Sequence, residues 1–216
     1  MRIAICDVGL GNIRSVERAL TTAAASRSRT KIEVSRDPDH IRSADKIVIP
    51  GQGAFGDCAR ALGDGLGAAV REKIAAGAPY LGICLGLQIL FGSSEEAPGC
   101  VGLGVFEGDV ARLRSAIDPA TGTPLKIPHM GWNTADRDGT NPSPLVRDLL
   151  PDASTHFYFV HSFVVRPKDA RVIASTTDYG ERFVSAIAKD NVFACQFHPE
   201  KSQRAGLALL ERFVLK

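Results

Sequence analysis

Cys84 occupies a position at which a cysteine can act as a nucleophile. It lies in YLGICLGLQILF, residues 80–91, where an apolar run typical of a strand passes into one typical of a helix. Gly82 and Gly86 allow a sharp bend, which matches the Gly-x-Ser-x-Gly nucleophile elbow with sulfur in place of oxygen. The start of a helix presents unpaired N–H groups and partial positive charge, and both stabilise a thiolate. A buried cysteine in an ordinary turn is the alternative interpretation.

The segment FHPEKS supplies the base that such a nucleophile needs. A cysteine nucleophile requires a proton acceptor, and that acceptor requires a group that orients it. His198 ends an apolar run and Glu200 follows two residues later. Pro199 between them fixes its own φ and restricts His198 to extended conformations. We therefore predict that Cys84, His198 and Glu200 form a catalytic triad.

Backbone donors next to the bend predict an oxyanion hole. The N–H of Leu85, the residue after the nucleophile, is one candidate donor. The loop PGQGAF ends an earlier apolar run and offers a second donor at Gln52 or Gly53, because its glycines permit unusual backbone angles. Together with the triad, these donors predict acyl-transfer chemistry.

The first ninety residues predict a parallel sheet that positions these groups. RIAIC, KIEVS, DKIVIP and PYLGI have the composition of short buried strands, and IRSVERALTTAA and CARALGDGLGAAVREKIAAG have helical spacing. Strands that alternate with helices indicate a doubly wound α/β fold. In such folds the functional crevice lies at the carboxyl ends of the strands. The loop Asp7–Asn12, the loop Pro50–Asp57 and Cys84 are all expected there.

The second half predicts a different pattern. Closely spaced strand-like runs, among them STHFYFVHSFVV, RFVSAIA and NVFACQF, indicate added antiparallel or mixed strands. Residues 118–145 are dense in Pro, Gly, Asn and Asp, which predicts surface loops and short elements. Ser202 is the predicted N-cap of a last helix. We expect one domain over residues 1–216.

Composition excludes several classes of function. The 26 basic and 24 acidic side chains are spread along the chain, which predicts no binding to nucleic acid or an anionic membrane. No apolar run approaches the roughly 18 residues of a membrane span. The five cysteines form no Cys-x-x-Cys pair, so we expect free thiols, no metal site and a cytoplasmic location. The loop Asp7–Asn12 lacks the full nucleotide-binding fingerprints, so no cofactor is expected.

The motifs PGQGAF, GICLGLQILF, PHMGWN, YFVHSF and FHPEKS together resemble the class I glutamine amidotransferases. The Cys elbow and His-Pro-Glu are similar to the superfamily at large, whereas PGQGAF, PHMGWN and YFVHS resemble in particular the glutaminase subunits of imidazole glycerol phosphate synthases. The resemblance spans nearly the entire chain and implies a flavodoxin-like, class I glutamine amidotransferase-like sheet. It also implies that Cys84 attacks the amide of glutamine, His198 moves the proton and Glu200 orients His198. Gln88 and Glu96 match substrate-binding positions.

The resemblance implies a partner as well. Members of the family pass ammonia to a cyclase subunit, a (β/α)8 barrel that makes imidazole glycerol phosphate and an aminoimidazole carboxamide ribonucleotide in histidine biosynthesis. Four residues in matching segments are the expected interface, and they are Asn12, Met130, Trp132 and Lys201. His129 and His161 are instead expected to be core or interface histidines.

One departure and three alternatives remain at this point. Gln52 stands where the family often has valine, in the loop whose peptide must turn to complete the oxyanion hole. The donor there is a backbone N–H, so the glutamine side chain does not prevent the peptide from completing the oxyanion hole. It alters how readily the loop turns. The alternatives are a glutaminase that serves another acceptor, a non-catalytic interaction module, and a cysteine hydrolase or chaperone-like protein.

Overall fold

The computed structural model describes residues 1–9, 11–25, 27, 29–63, 65–114, 116–117 and 122–216. The predicted loop Asp7–Asn12 includes Leu10, and the predicted loop region 118–145 includes residues 118–121. These residues lie outside the described ones. The strands are β1 Arg2–Cys6, β2 Lys31–Ser35, β3 Lys46–Ile49, β4 Tyr80–Ile83, β5 Gly108–Arg112, β6 His129–Arg137, β7 Ser154–His161, β8 Phe163–Pro167, β9 Ile173–Asp178, β10 Arg182–Lys189 and β11 Val192–Cys195. The α-helices are α1 Ile13–Ala23, α2 Pro38–Ser43, α3 Phe55–Ala61, α4 Leu66–Ala75, α5 Leu85–Gln88, α6 Pro144–Leu149 and α7 Gln203–Leu215, and 3-10 turns occupy Ala170–Val172 and Pro199–Lys201.

Nine of the described strands form one mixed sheet, in the order β2-β1-β3-β4-β11-β10-β9-β6-β7. The strands from β2 to β11 pair in parallel, whereas those from β11 to β7 pair antiparallel. Strands β5 and β8 form a separate antiparallel pair. The predicted doubly wound α/β fold with antiparallel strands in the second half is confirmed.

Alternating side chains of the parallel strands supply two cores. Ile3 and Ile5 of β1 face a core that includes residues of α1, α6 and α7. Ala4 and Cys6 face a second core with residues of α2, α3 and α4. Burial on both faces explains why the inner strands β1, β3 and β4 are largely apolar, whereas the edge strand β2 is partly exposed. Within the described residues, none of the helices combines the length and apolarity needed to cross a membrane.

One local prediction from the sequence was wrong. Residues 129–137 form the nine-residue strand β6, although loops and short elements were predicted for this region. Pairing with β7 along most of the length of β6 outweighs the turn-forming residues. A helix does follow Cys84, and α5 ends at Gln88.

Helix α7 packs directly against the turn that carries His198. A Cβ atom placed on Gly206 would lie 1.8 Å from the carbonyl oxygen of Pro199. Ser202 stands at the N-cap position of α7 as predicted, but its side chain makes no capping hydrogen bond. Its hydroxyl donates instead to the carbonyl of His198 at 2.6 Å and accepts from the N–H of Tyr158 at 2.9 Å. The turn is therefore held by α7 on one side and by β7 on the other.

Replacing Gly206 with alanine is expected to destabilise the protein. Alanine normally favours a helix interior by up to about 1 kcal/mol over glycine. Here the added methyl meets the Pro199 carbonyl, and overpacking of this kind costs about 1–3 kcal/mol. Thermal unfolding should show a lower Tm for Gly206→Ala. Gly139→Ala is the matched control, since a Cβ there meets no atom within 4 Å; an unchanged Tm for Gly206→Ala would contradict the packing argument.

Candidate active site

Cys84 sits at a strained bend between β4 and α5. Its φ of 51° and ψ of −99° are rare for a residue with a side chain. Its N–H donates to the carbonyl of Cys195 at 2.7 Å, which fixes the bend to β11. A Cβ on Gly86 would lie 1.9 Å from the carbonyl oxygen of Ile49, and one on Gly82 would lie 2.4 Å from that of Gly86. Only glycine fits at these two positions, as the elbow motif requires.

His198 and Glu200 form a buried pair beside the bend. Nδ1 of His198 lies 2.8 Å from Oε1 of Glu200, and the two side chains are only 1% and 2% exposed. The N–H of His198 donates to the carbonyl of Tyr158 at 2.9 Å, which anchors the turn to β7. Because the carboxylate engages Nδ1, the other ring nitrogen, Nε2, is left to act toward a neighbour.

The neighbour of His198 is Cys84. Burial by itself lowers the pKa of His198, but the charge and hydrogen bond of Cys84, together with those of Glu200, raise it to about 9. Nε2 of His198 is buried, and no nitrogen or oxygen atom among the described residues forms a hydrogen bond with it. At neutral pH the imidazole is therefore protonated and faces the sulfur with a proton to donate.

A cavity of about 360 Å³ opens in front of the sulfur. This volume falls in the range of small-molecule sites. Its lining comes from the elbow, the loop after β3, the loop before β5 and the junction of β7 with β8. The lining residues are Gln52, Gly53, Cys84, Leu85, Gln88, Glu96, Pro128, Val160, His161, Ser162 and Phe163.

The predicted oxyanion-hole residues lie together, but one donor is occupied. Gln52, Gly53 and Leu85 all line the cavity beside Cys84. The N–H of Leu85 donates to the carbonyl of Gly51 at 3.4 Å, a long hydrogen bond. The Gly51–Gln52 peptide therefore presents its oxygen to the elbow, so the hole is closed in this conformation.

Both predicted substrate-binding residues reach the cavity. Gln88 is buried, and its Nε2 donates to the carbonyl of Phe163 at 3.1 Å. The Oε2 atom of Glu96 accepts from the N–H of Phe55 at 2.7 Å and so fixes the start of α3. The hydrogen bond between Glu96 and Phe55 thus connects the segment that carries Glu96 to the end of the loop that contains Gln52 and Gly53.

Sequence reasoning missed Gln196. Its side chain is fully buried, and its Nε2 lies 3.4 Å from the sulfur of Cys84. The available signal was a glutamine inside the apolar run FACQF, since a buried amide requires polar partners.

Three of the residues predicted for the partner interface are exposed, and the fourth, Lys201, is half-buried in the turn that carries His198. Met130 and Trp132 are 61% and 48% exposed on one face of β6. The ring of Trp132 packs edge-on against Tyr158, and the Lys201 ammonium lies 5.9 Å above the same ring. Asn12 is exposed and caps α1 by accepting from the N–H of Ser15 at 3.3 Å. Tyr158 was not singled out from the sequence.

His129 and His161 are buried, as expected of core histidines. Nδ1 of His129 lies 3.1 Å from Nε2 of His161. Burial lowers the pKa of His129 to about 4; burial and then the charge of His129 lower that of His161 to about 3. Both imidazoles are therefore neutral at physiological pH.

Comparison with known proteins points to one family. The family described as glutamine amidotransferase class-I matches residues 4–216. The chain is similar to proteins named imidazole glycerol phosphate synthase subunit HisH. The identity is 44% to that of Neisseria meningitidis serogroup B, over 99% of this chain and 99% of that protein. It is 48% to that of Nitrosospira multiformis, over 98% and 96% of the two chains.

Solved structures share the fold. A crystal structure described as a glutamine amidotransferase aligns with a TM-score of 0.69 at 20% identity, covering 98% of each chain. The glutaminase domain of Trypanosoma brucei CTPS with bound acivicin aligns with a TM-score of 0.69 at 18% identity, covering 100% of this chain and 94% of that one. With the family match and the full-length relatives, these observations show that the chain belongs to the class-I glutamine amidotransferase family.

Proposed function

We propose that the chain is the glutaminase subunit of an imidazole glycerol phosphate synthase, which hydrolyses glutamine and passes ammonia to a cyclase subunit. The observation that carries the chemistry is the buried His198–Glu200 pair beside Cys84, at a cavity of about 360 Å³. The full-length relatives at 44–48% identity support the pathway. Residues 1–216 act as one glutaminase domain in the cytoplasm.

The protonation state of the site dictates the order of proton transfers. The sulfur of Cys84 attacks the side-chain carbonyl carbon of glutamine, and His198, protonated at neutral pH, gives its proton to the departing nitrogen. Ammonia leaves and a glutamyl thioester remains. The now neutral His198 takes a proton from water, whose oxygen attacks the thioester carbon. The C–S bond breaks, glutamate leaves, and the thiolate and the imidazolium are restored.

The closed oxyanion hole gives the partner a point of control. Rotation of the Gly51–Gln52 peptide would remove the Gly51 carbonyl from the Leu85 N–H and turn the Gln52 N–H toward the cavity. Each donor of this kind is worth about 10²–10³ in kcat. Binding of the cyclase can therefore raise turnover strongly without altering the triad.

The exposed aromatic surface beside the triad is the proposed binding site for the barrel. Met130, Trp132, Tyr158 and Lys201 surround the end of the turn that holds His198. Exposed aromatic residues dominate the binding energy of many protein interfaces. Asn12 extends this surface to the start of α1, which contacts both α7 and the turn.

Cys84→Ala is expected to abolish glutamine hydrolysis. The parent chain should release glutamate slowly alone and much faster with the cyclase subunit and its ligand. The variant should lose roughly 10³-fold or more in both conditions, because the covalent step is removed. Cys100→Ala, which alters a half-buried free thiol, is the control. Substantial turnover by Cys84→Ala would rule out the proposed mechanism.

The glutaminase rate of the complex should fall as pH rises through about 9. Below that pH His198 is protonated and can protonate the leaving nitrogen; above it the proton is lost. Glu200→Gln removes a carboxylate that raises this pKa, so the alkaline limb should move toward lower pH and kcat/KM should fall about 10–100-fold. Glutamate release is measured from pH 6 to 10.

Glu211→Gln, an exposed change of the same type on α7, is the control for this pH profile. An alkaline limb that stays at the same pH in Glu200→Gln would contradict the assignment. The same linkage predicts that stability from His198 is complete below its unfolded pKa near 6.5 and is lost as pH rises through about 9.

Trp132→Ala is expected to weaken binding of the cyclase. Truncating a central interface aromatic costs about 2 kcal/mol or more, which raises Kd by about 30-fold or more. Titrating the cyclase into the glutaminase assay gives the apparent Kd. Val34→Ala is the matched control, because Val34 is an exposed apolar residue on β2, the edge strand opposite β7. An unchanged Kd for Trp132→Ala would place the interface elsewhere.

A further inference from the structure

We propose that Gln196 is a further catalytic residue, whose side-chain amide donates a hydrogen bond to the sulfur of Cys84 and stabilises the thiolate. The inference rests on the proposed role of Cys84 as the nucleophile. Gln196 lies at the end of β11 and contacts the Cys84 sulfur in addition to the residues of the triad.

The position of Gln196 is tightly fixed. The residue follows the last residue of β11, and its own N–H donates to the carbonyl of Ser185 in β10 at 2.8 Å. Its side chain is 0% exposed, and its Nε2 lies 3.4 Å from the sulfur of Cys84. Burial lowers the local dielectric constant, which strengthens a hydrogen bond to a charged sulfur.

The orientation of the Gln196 amide follows from its neighbours. The carbonyl oxygen of Phe163 can only accept, so the group of Gln88 that lies 3.1 Å from it must be the NH₂. That NH₂ also lies 3.3 Å from the Gln196 side chain, which must therefore present its oxygen there. The NH₂ of Gln196 then points at the sulfur, where it favours a thiolate.

The Phe163 carbonyl, which sets the orientation of the two amides, also belongs to a series of buried hydrogen bonds that involve His161 and His129. Nδ1 of His161 lies 3.1 Å from the Phe163 carbonyl, and Nε2 of His161 lies 3.1 Å from Nδ1 of His129. Nε2 of His129 lies 3.4 Å from the amide nitrogen of Asn133. Both imidazoles are neutral, with one donor and one acceptor nitrogen each. Each group in this series therefore donates to the next, from the amide of Asn133 to the carbonyl of Phe163.

The proposed hydrogen bond acts at two points of the reaction. Before attack it stabilises the negative charge on the Cys84 sulfur that faces the protonated His198. When water cleaves the thioester, the C–S bond breaks and the electron pair returns to sulfur, where the Gln196 N–H again stabilises it. A group that stabilises a leaving thiolate speeds this step, because the charge on sulfur grows as the bond breaks.

Alkylation of Cys84 by iodoacetamide tests the inference without requiring glutamine. Gln196→Met keeps the length of the side chain but removes the donor. At pH 6–7 its rate of Cys84 alkylation, followed by peptide mass, should be about tenfold lower than in the parent, the change expected for losing a hydrogen bond to a charged group. At pH 10, above the usual pKa of a cysteine thiol, the two rates should converge.

Two further variants keep the test decisive. Gln196→Leu also lacks the donor and should give the same profile, so failure of one variant to fold does not end the test. Phe193→Leu alters the buried packing of β11 without touching the sulfur and should alkylate like the parent. The titratable groups around Cys84 are unchanged in all three variants, and they are His198, Glu200, Cys195 and His161.

Parent-like alkylation of a folded Gln196 variant at every pH would overturn the inference. So would a deficit that is the same at pH 6 and pH 10, because that pattern indicates altered packing and not loss of a thiolate donor. Failure of the proposed function looks different: the parent and its complex with the cyclase would release no glutamate, while the alkylation profiles of parent and variants would still differ.

Discussion

The close contact between the elbow and the end of β3 is the constraint on which the rest of the site depends. Gly86 lies against the carbonyl of Ile49, at a distance that leaves no space for a side chain. This contact brings α5 down onto the sheet and forces Cys84 into its left-handed conformation. The strain, of order 1–3 kcal/mol, is sustained because β3 and β11 flank β4 and hold both ends of the bend.

The second half of the site depends on burial of charge. His198 and Glu200 are almost without exposure, and burial of a charged pair costs free energy unless its hydrogen bonds are satisfied. Pro199, Ser202 and the packing of α7 hold the turn so that Nδ1 meets the carboxylate. Among the described residues, the same geometry leaves Nε2 without a competing partner, and so the proton on His198 is directed to the sulfur.

The sequence predicted the elements with strong local signals. The elbow glycines and the His-Pro-Glu turn fix backbone geometry within a few residues, and the parallel strands inside the sheet are largely apolar. Strand β6 was missed because its pairing partner, β7, follows it by some twenty residues and carries the β-forming signal. Gln196 was missed for a related reason: its partners, Cys84 and Gln88, lie on a different element, and no spacing in the chain reveals that contact.

Strand β6 connects the two surfaces that the proposed function requires. Because side chains alternate along a strand, Met130 and Trp132 point outward, whereas His129 and Asn133 contribute to the buried chain of hydrogen bonds. The same backbone therefore holds the exposed side chains on its outer face and the buried hydrogen bonds on its inner face. The inner chain ends at the Phe163 carbonyl, on the wall of the cavity that faces the sulfur. Strand β6 thus joins the proposed partner surface to the wall of the cavity that contains Cys84, at a place separate from the Gly51–Gln52 peptide.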